Sequence, residues 1–288
     1  MSIICFLLST FNYNVFSIEI TALPRPVKTP KAAMFDFDGT VSVMREGWHG
    51  ILTKYFVVHL QATPQGNAHS EAEWLQIVCQ AIEANIGKLP VFQFYTLVEL
   101  LKQNGGQTED AEVYLAEYYK HLFALVEERH GQLRSGHNPD DLMMPGTVEV
   151  LKMFRRRNVK CYLVSGTEQD FIREDCGLLR ITEYFDGGIF GGTKDIAASS
   201  KKTIIARIIS ENGIDGSELI SFGDGQTETR EIKAAGGFAV GVASNEDTRD
   251  GINQWKRRQL IDAGADWIIP HFGNTAENVT EIEHCIFC

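Results

Sequence analysis

The sequence has few cysteines and few basic residues, and each shortage excludes a class of protein. Its six cysteines are scattered over 288 residues, too sparsely for a disulfide scaffold, so we expect a reducing compartment and assign the chain to the cytoplasm. Lysine and arginine total 27 against 38 aspartates and glutamates, for a net charge of −11, and no basic run exceeds three residues, as at Arg155–Arg157. Because such a chain repels phosphate backbones and anionic lipid, we expect neither nucleic-acid nor membrane partners.

Long apolar runs and low-complexity tracts are also missing. Hydrophobic residues make up 44% of the chain and charged residues 23%, close to globular averages, which argues against disorder and against a multi-span membrane protein. Ile3–Leu8 could begin a secretory signal, but no lysine or arginine precedes it, so we interpret residues 1–30 as a non-catalytic extension. Cys285 and Cys288 have the spacing of a metal or redox pair without a second pair, so residues 274–288 are interpreted as a frayed tail.

Between these two ends of the chain, over residues 31–273, hydrophobic periodicity predicts two kinds of structure. Ala32–Phe37 is typical of a buried strand that ends in carboxylates. From about residue 50 to residue 129, apolar residues recur every three or four positions, which predicts helices. After Pro145, predicted strands and helices alternate; the strands lie near 159–164, 185–192, 219–222, 238–242 and 267–269.

This pattern predicts an α/β fold with a doubly wound, Rossmann-like parallel sheet and an inserted all-helical cap domain. The core would comprise residues 31–43 and 145–273, and the cap residues 44–144. In such a sheet, chemistry collects where the strands end.

Four polar segments fall at such positions: Asp36–Thr40, Ser165–Thr167 and Gly223–Glu228 after predicted strands, and Lys201–Thr203 at a helix start. Taken singly, each has an ordinary explanation, such as a turn, a helix cap or a surface lysine. A calcium loop at Asp36 fails, because it would need Gly at position 41 and Glu at position 47. Together, three carboxylates, a hydroxyl and an ammonium at one sheet edge are suited to Mg²⁺-assisted phosphoryl transfer. The sequence has no zinc-binding motif that would favour zinc instead.

In order and spacing, these segments resemble the motifs of the haloacid dehalogenase (HAD) superfamily, specifically its phosphatases with a helical cap, such as phosphoglycolate phosphatase. The resemblance covers residues 32–270. It implies that Asp36 is a nucleophile that forms an aspartyl-phosphate. It also implies that Asp38 is the general acid and then the general base, positioned by Thr40.

The resemblance further implies how phosphate and metal are held. Thr40 belongs to this phosphate-binding set together with Ser165, Gly166 and a lysine, either Lys201 or Lys202; Lys201 fits the family's helix start better. Mg²⁺ would be held by Asp36, the Asp38 backbone carbonyl and Asp224. Glu228 stands where the family more often has Asp, and would support the metal or its waters.

The motifs leave more than one reaction and substrate open. Asp38 argues against dehalogenation, because a halide leaving group needs no proton, and Thr40 favours hydrolysis over the alternative of a sugar phosphomutase. A non-catalytic binding or regulatory module is a further alternative. The cap would choose the substrate, with Arg45, Trp48 and His49 close enough to the first motif to contact it. Cover by a helical cap suggests a small phosphorylated metabolite, such as a sugar phosphate or phosphoglycolate.

Overall fold

The strands of the core form a single sheet. The computed structural model describes residues 17–85, 89–193, 195 and 197–288. Its strands are β1 (Glu19–Ile20), β2 (Ala32–Phe35), β3 (Lys160–Glu168), β4 (Gly188–Gly192), β5 (Leu219–Gly223), β6 (Phe238–Val242) and β7 (Trp267–Ile269). They pair in the order β1-β7-β6-β5-β2-β3-β4, and all neighbours are parallel except β1, which is antiparallel to β7. The predicted fold class, a doubly wound parallel sheet, is confirmed.

Helices occupy most of the remaining described chain. They are α1 (Trp48–Gln61), α2 (Glu71–Glu83), α3 (Val91–Gln103), α4 (Ala111–Arg134), α5 (Thr147–Arg156), α6 (Gln169–Leu178), α7 (Lys201–Asn212), α8 (Gln226–Ala234), α9 (Gln254–Asp262) and α10 (Ala276–Phe287). In the described residues, no helix is both long enough and apolar enough to cross a bilayer.

Strand β2 is buried on both faces, as a central parallel strand should be. Phe35 on one face packs edge-on against Phe154 of α5, with ring centroids 5.8 Å apart. Met34 on the other face belongs to a cluster with Ile205 of α7 and Ile232 of α8. Each such side chain contributes about 1.5–3 kcal/mol by leaving water, so the helices on both faces fix the end of β2 in space.

The helices α1–α4 form the cap inserted between β2 and α5. The two linkers that join it to the core run side by side: Val43 N–H donates to Leu142 O at 3.0 Å, and Met144 N–H donates to Val41 O at 3.0 Å. Since the first linker begins just after β2, this pairing places the cap beside the carboxyl ends of the strands. An all-helical cap, predicted from periodicity, is confirmed.

The C-terminal segment differs from its prediction. The sequence predicts a frayed tail over residues 274–288, but Ala276–Phe287 form helix α10, capped by Thr275, whose hydroxyl accepts from Asn278 N–H at 3.4 Å. Ile282 and Ile286 of α10 are buried in the core. The segment folds because its apolar residues repeat every three or four positions and cover the face of the sheet beside α5.

The extension before β2 also contributes to the core. Residues Glu19–Ile20 form the edge strand β1, and Arg257 of α9 pairs with the carboxylate of Glu19 at 2.7 Å. The apolar segment Ile3–Leu8 lies outside the described residues.

Candidate active site

Asp36 stands at the carboxyl end of β2. Its N–H donates to Phe222 O of β5 at 2.9 Å, so the backbone of Asp36 is still held by the sheet. The chain then turns at Gly39, whose φ is +72°, and a Cβ at this position would lie 2.3 Å from Asp224 Oδ2. Only glycine therefore allows the segment after Asp36 to lie against the loop that follows β5.

Lys201 meets Asp36 from the start of α7. Its Nζ lies 3.1 Å from Asp36 Oδ1 and 2.9 Å from Glu228 Oε2. The start of the helix is fixed by Ser200, whose hydroxyl accepts from Thr203 N–H at 3.2 Å. Lys202 is exposed. Of the two lysines considered from the sequence, the structure brings Lys201 to Asp36.

Three carboxylates form a cluster beside this lysine. Oxygens of Asp36, Asp224 and Glu228 all lie within 4.8 Å of one another. Glu228 is oriented in the first turn of α8 by Gly225 N–H, which donates to its Oε1 at 2.6 Å. Converging carboxylate oxygens are the ligands that a hard divalent cation prefers. The residues present therefore fit Mg²⁺.

A second ammonium group, missed in the sequence, neutralises the same cluster. Lys256 Nζ lies 2.6 Å from Asp224 Oδ2, 2.8 Å from Glu246 Oε1 and 3.1 Å from Ser244 Oγ. Lys256 stands in a basic run on α9, which resembles an ordinary solvated helix face. No sequence signal distinguishes it, because only the packing of α9 beside β6 turns it inward.

Burial governs the protonation of the site. Desolvation raises the pKa of Asp36 well above its ordinary value, against the opposing charge of Lys201. Desolvation likewise raises the pKa of Asp224, with Lys256 opposing it. For Glu228, Lys201 and several hydrogen bonds outweigh burial, so its pKa is lowered. Burial therefore disfavours the ionised forms of Asp36 and Asp224, and a cation added beside them would stabilise those ionised forms.

Asp38 is oriented by two residues that differ from the one expected. Thr167 Oγ1 donates to its Oδ2 at 2.9 Å, and Arg45 NH1 donates to its Oδ1 at 3.2 Å. Thr40 is fully buried, and within the described part of the chain its hydroxyl has no hydrogen-bond partner. Within the described residues, Thr167 and Arg45 hydrogen-bond Asp38, and Thr40 is not among the residues that line the cleft.

Arg45 links this carboxylate to a buried ion pair that sequence reasoning missed. Its NH2 lies 2.7 Å from Oδ2 of Asp175 on α6, and His130 Nε2 of α4 lies 2.6 Å from the other oxygen, Oδ1. Arg45 is only 6% exposed and Asp175 is completely buried. The network joins cap helix α4, core helix α6 and Asp38, and it makes Arg45 a buried residue rather than a solvated one.

The second motif follows the apolar part of β3. The hydroxyl of Ser165 accepts from Thr167 N–H at 3.0 Å. Ser165 is buried, Gly166 is exposed, and both line the same cleft as Asp36 and Asp38. The register of β3 shifts between Val164 and Glu168, the part of the strand that contains Ser165 and Gly166.

The cleft has a volume of about 260 Å³ and lies between core and cap. Arg45 and Trp48, the two substrate-contacting candidates, both line it, as do Lys201, Asp224 and Glu228. His49 instead contacts the Trp48 ring, with centroids 5.5 Å apart, and the Thr53 hydroxyl at 3.4 Å. The structure therefore gathers the predicted site residues around one cleft, except Thr40 and His49.

Comparisons with known proteins agree with this geometry. Residues 30–236 match a family model described as haloacid dehalogenase-like hydrolase, which confirms the resemblance drawn from the four motifs and the predicted hydrolase class. No curated protein sequence is significantly similar to the chain.

Several solved structures share the fold at low sequence identity. A predicted phosphoglycolate phosphatase from Haemophilus somnus 129PT is 18% identical, with a TM-score of 0.54 over 84% of this chain and 94% of its own. A HAD family hydrolase from Deinococcus radiodurans R1 with bound phosphate and sodium is 15% identical, with a TM-score of 0.55 over 90% and 98%. CbbY from Rhodobacter sphaeroides, in complex with xylulose-1,5-bisphosphate, is 15% identical, with a TM-score of 0.52 over 83% and 93%.

Proposed function

Because the chain belongs to the haloacid dehalogenase-like hydrolases, we propose that it is a Mg²⁺-dependent phosphohydrolase acting on a small phosphorylated metabolite through an aspartyl-phosphate. The observation that carries the proposal is the position of Asp36. Its carboxylate is fixed at a strand end, 3.1 Å from the Lys201 ammonium. Asp38 lies two residues further on and lines the same cleft.

In the first step, a carboxylate oxygen of Asp36 attacks phosphorus. The bond between phosphorus and the leaving oxygen breaks, and Asp38 donates a proton to that oxygen, so that an alcohol departs. Lys201 and the hydroxyl of Ser165 hold the other phosphate oxygens, with the Gly166 amide. Lys201 also offsets the negative charge that Asp36 and the phosphoryl group bring together.

In the second step, Asp38 accepts a proton from water, which attacks the phosphorus of the aspartyl-phosphate. The bond from phosphorus to Asp36 breaks, inorganic phosphate leaves, and both carboxyl groups return to their starting states. Thr167 and Arg45, which hydrogen-bond the two oxygens of Asp38, keep the carboxyl aimed at the same place in both steps.

The metal would be held by Asp36, Asp224 and the backbone carbonyl of Asp38, with Glu228 supporting its waters. When bound, Mg²⁺ supplies charge neutralisation between the nucleophile and the anionic phosphoryl group. The carboxylate cluster supports this assignment because its oxygens lie within 4.8 Å of one another.

The organisation of the chain is part of the same proposal. Residues 31–43 and 145–273 would act as the catalytic core and residues 44–144 as a cap that shields the leaving group from water. The neighbours with bound phosphate and a phosphorylated sugar support a phosphorylated small molecule as substrate. A sugar phosphate or phosphoglycolate is the expectation carried over from the sequence. The sparse, scattered cysteines support a cytoplasmic enzyme, and the net charge of −11 argues against nucleic-acid and membrane partners.

The decisive experiment compares the wild-type protein with Asp36→Asn. The wild type should release phosphate from p-nitrophenyl phosphate, and EDTA should stop the release until Mg²⁺ is restored. Asp36→Asn should lower turnover by about 10³-fold or more while circular dichroism stays unchanged, because the amide cannot form the acyl-phosphate. Substantial turnover by this variant would refute the assigned nucleophile.

Two alternatives predict different products. A sugar phosphomutase would convert a hexose 1-phosphate to its 6-phosphate before free phosphate appears. A binding module would gain thermal stability from a ligand without releasing phosphate. Product analysis by phosphorus NMR separates all three functions in one time course.

A further inference from the structure

Many of the side chains that line the cleft are aromatic or aliphatic, and together they form what we call the apolar wall. The cap contributes Trp48, Leu52, Phe94, Tyr118, Tyr119, Leu122 and Phe123, and the core adds Phe171 and Trp255. Phe123 of α4 contacts Phe171 of α6, with ring centroids 4.6 Å apart, and it stacks on Tyr119 at 5.0 Å. Aromatic side chains of cap and core thus form one continuous surface beside the phosphoryl site.

The charged and amide nitrogens that the cap brings to the cleft already donate to other groups of the protein. Among the described cap residues that line the cleft, Arg45 is the only charged one, and it is bound to Asp38 and Asp175. The Asn85 amide donates to Thr96 Oγ1 at 2.8 Å, and the Gln93 amide donates to Ile82 O at 3.1 Å. Gln93 Oε1 is buried and has no hydrogen-bond partner among the described residues. The wall in the described residues therefore offers no uncommitted cation to a carboxylate.

This composition discriminates between leaving groups. A sugar would bring several hydroxyls to a mostly aromatic surface, where burying a hydroxyl without a partner is unfavourable. A glycolate would bring a carboxylate that needs a cation. An apolar ring would instead gain free energy from the apolar area that it buries.

The size of the cleft narrows the choice further. About 260 Å³ is below the range of about 300–1,000 Å³ usual for drug-sized ligands, and the phosphoryl group takes part of it. The remaining space suits a leaving group of about one ring.

We infer that the substrate is a phosphate monoester of a small apolar alcohol, with one aromatic ring or a comparably bulky aliphatic group. The inference rests on the proposed phosphohydrolase function and replaces the sugar phosphate and phosphoglycolate expected from the sequence. The chemistry is unchanged: the phosphorus–oxygen bond of the ester breaks, water is consumed, and the apolar alcohol and inorganic phosphate are released.

The test uses four primary alkyl monoesters, so that leaving groups of one class are compared. Cyclohexylmethyl phosphate and glucose 6-phosphate match in ring size and in the exocyclic carbon that bears the phosphate, and benzyl phosphate and phosphoglycolate extend the series. We expect kcat/KM to be at least about tenfold higher for the two apolar esters, a difference of ~1.4 kcal/mol. Equal or reversed values would overturn the inference while leaving the phosphohydrolase in place. Absence of release from all four esters and from p-nitrophenyl phosphate would overturn both.

Variants of the wall identify its contribution. Phe123→Asn should lower kcat/KM for benzyl phosphate about tenfold and change that for glucose 6-phosphate less than threefold, whereas Phe123→Leu should retain most activity on both. The control is Phe92→Asn, because Phe92 is a cap phenylalanine that is 42% exposed and does not line the cleft. An equal loss on both esters in Phe123→Asn would contradict the assigned wall.

Discussion

The ammonium of Lys256 lies 2.6 Å from Oδ2 of Asp224, so α9 supplies a cation to one carboxylate of the cluster that Asp224 forms with Asp36 and Glu228. Lys256 also contacts Glu246 at 2.8 Å, and both carboxylates are largely buried. In the metal-free protein, Lys256 therefore provides the counter-charge for Asp224 and Glu246.

Replacing Lys256 should make the protein more dependent on metal. In Lys256→Met, two buried carboxylates lose their counter-charge, and an uncompensated buried charge costs about 3–5 kcal/mol. We expect a lower Tm without metal and a larger rise in Tm on adding Mg²⁺ than in the wild type, measured by calorimetry at pH 7. Arg258→Met, a neighbour in the same basic run, is the control. An identical Mg²⁺ response in both variants would contradict the compensating role of Lys256.

Stabilisation by Mg²⁺ should increase with pH. Because burial raises the pKa values of Asp36 and Asp224, the native metal-free protein retains protons that the unfolded chain releases from an ordinary pKa of about 4. Its free energy of unfolding therefore falls as pH rises from about 4 through the raised values. Metal binding requires both groups deprotonated, so the Mg²⁺-induced shift in Tm should grow across the same window. The shift is read from melting curves with and without Mg²⁺ between pH 5 and pH 8. In the double variant Asp36→Asn/Asp224→Asn, the Mg²⁺-induced shift in Tm should be small and independent of pH. A wild-type shift in Tm that decreases as pH rises would refute this prediction.

Replacing Arg45 should lower both the free energy of unfolding of the protein and its turnover rate. Arg45→Met leaves Asp175 without its arginine in a fully buried position, which should cost about 3–5 kcal/mol in urea unfolding. Asp38 loses one of its two hydrogen-bond donors, so kcat should fall more than KM changes.

The matched control for this variant is Arg134→Met. Arg134 also connects α4 to α6, through Glu174 at 2.7 Å, and it pairs with Glu127 of its own helix at 2.6 Å, but it is exposed. Surface ion pairs contribute about 0–1 kcal/mol, so this variant should be nearly as stable and as active as the wild type. Similar losses in both variants would show that burial does not distinguish the two arginines.

Helix α10 should be required for stability. Ile282 is 1% exposed, so Ile282→Ala should lower the free energy of unfolding by about 2–5 kcal/mol through lost burial and a cavity. Thr280→Ala, on the exposed face of the same helix, should change it by less than about 0.5 kcal/mol. Denaturant titration measures the free energy of unfolding of both variants. If Ile282→Ala were as stable as the wild type, the interpretation of this segment as a frayed tail would be supported instead.

Sequence patterns predict the parts of the site whose position follows from local structure. Asp36 and Asp224 each come directly after an apolar strand, and because parallel strands end at one edge of a sheet, the order of elements along the chain already brings the two carboxylates together. The pattern of the helix start favours Lys201 over Lys202, and the helix phase accounts for that choice, since consecutive helical residues point about 100° apart.

The remaining contacts depend on packing between distant segments. Lys256 is 32 residues beyond Asp224. Arg45 precedes α1, Asp175 is on α6 and His130 is on α4. Nothing in their own neighbourhoods distinguishes them from ordinary charged residues. The resemblance to the family implies a Thr40 hydroxyl beside Asp38, but the turn at Gly39 buries that hydroxyl, and Thr167 takes its place.

The fold class, the inserted helical cap and the set of carboxylates, hydroxyl and lysine at the strand ends could be predicted from the sequence, because periodicity and strand order are local properties of the chain. Packing in three dimensions set the rest: α10 covers the core, particular lysines and arginines balance the buried carboxylates, and the cap presents an aromatic wall to the cleft. Those features arise where helices pack against one another across long separations in sequence. There, burial and charge compensation choose among many residues that look alike in the sequence.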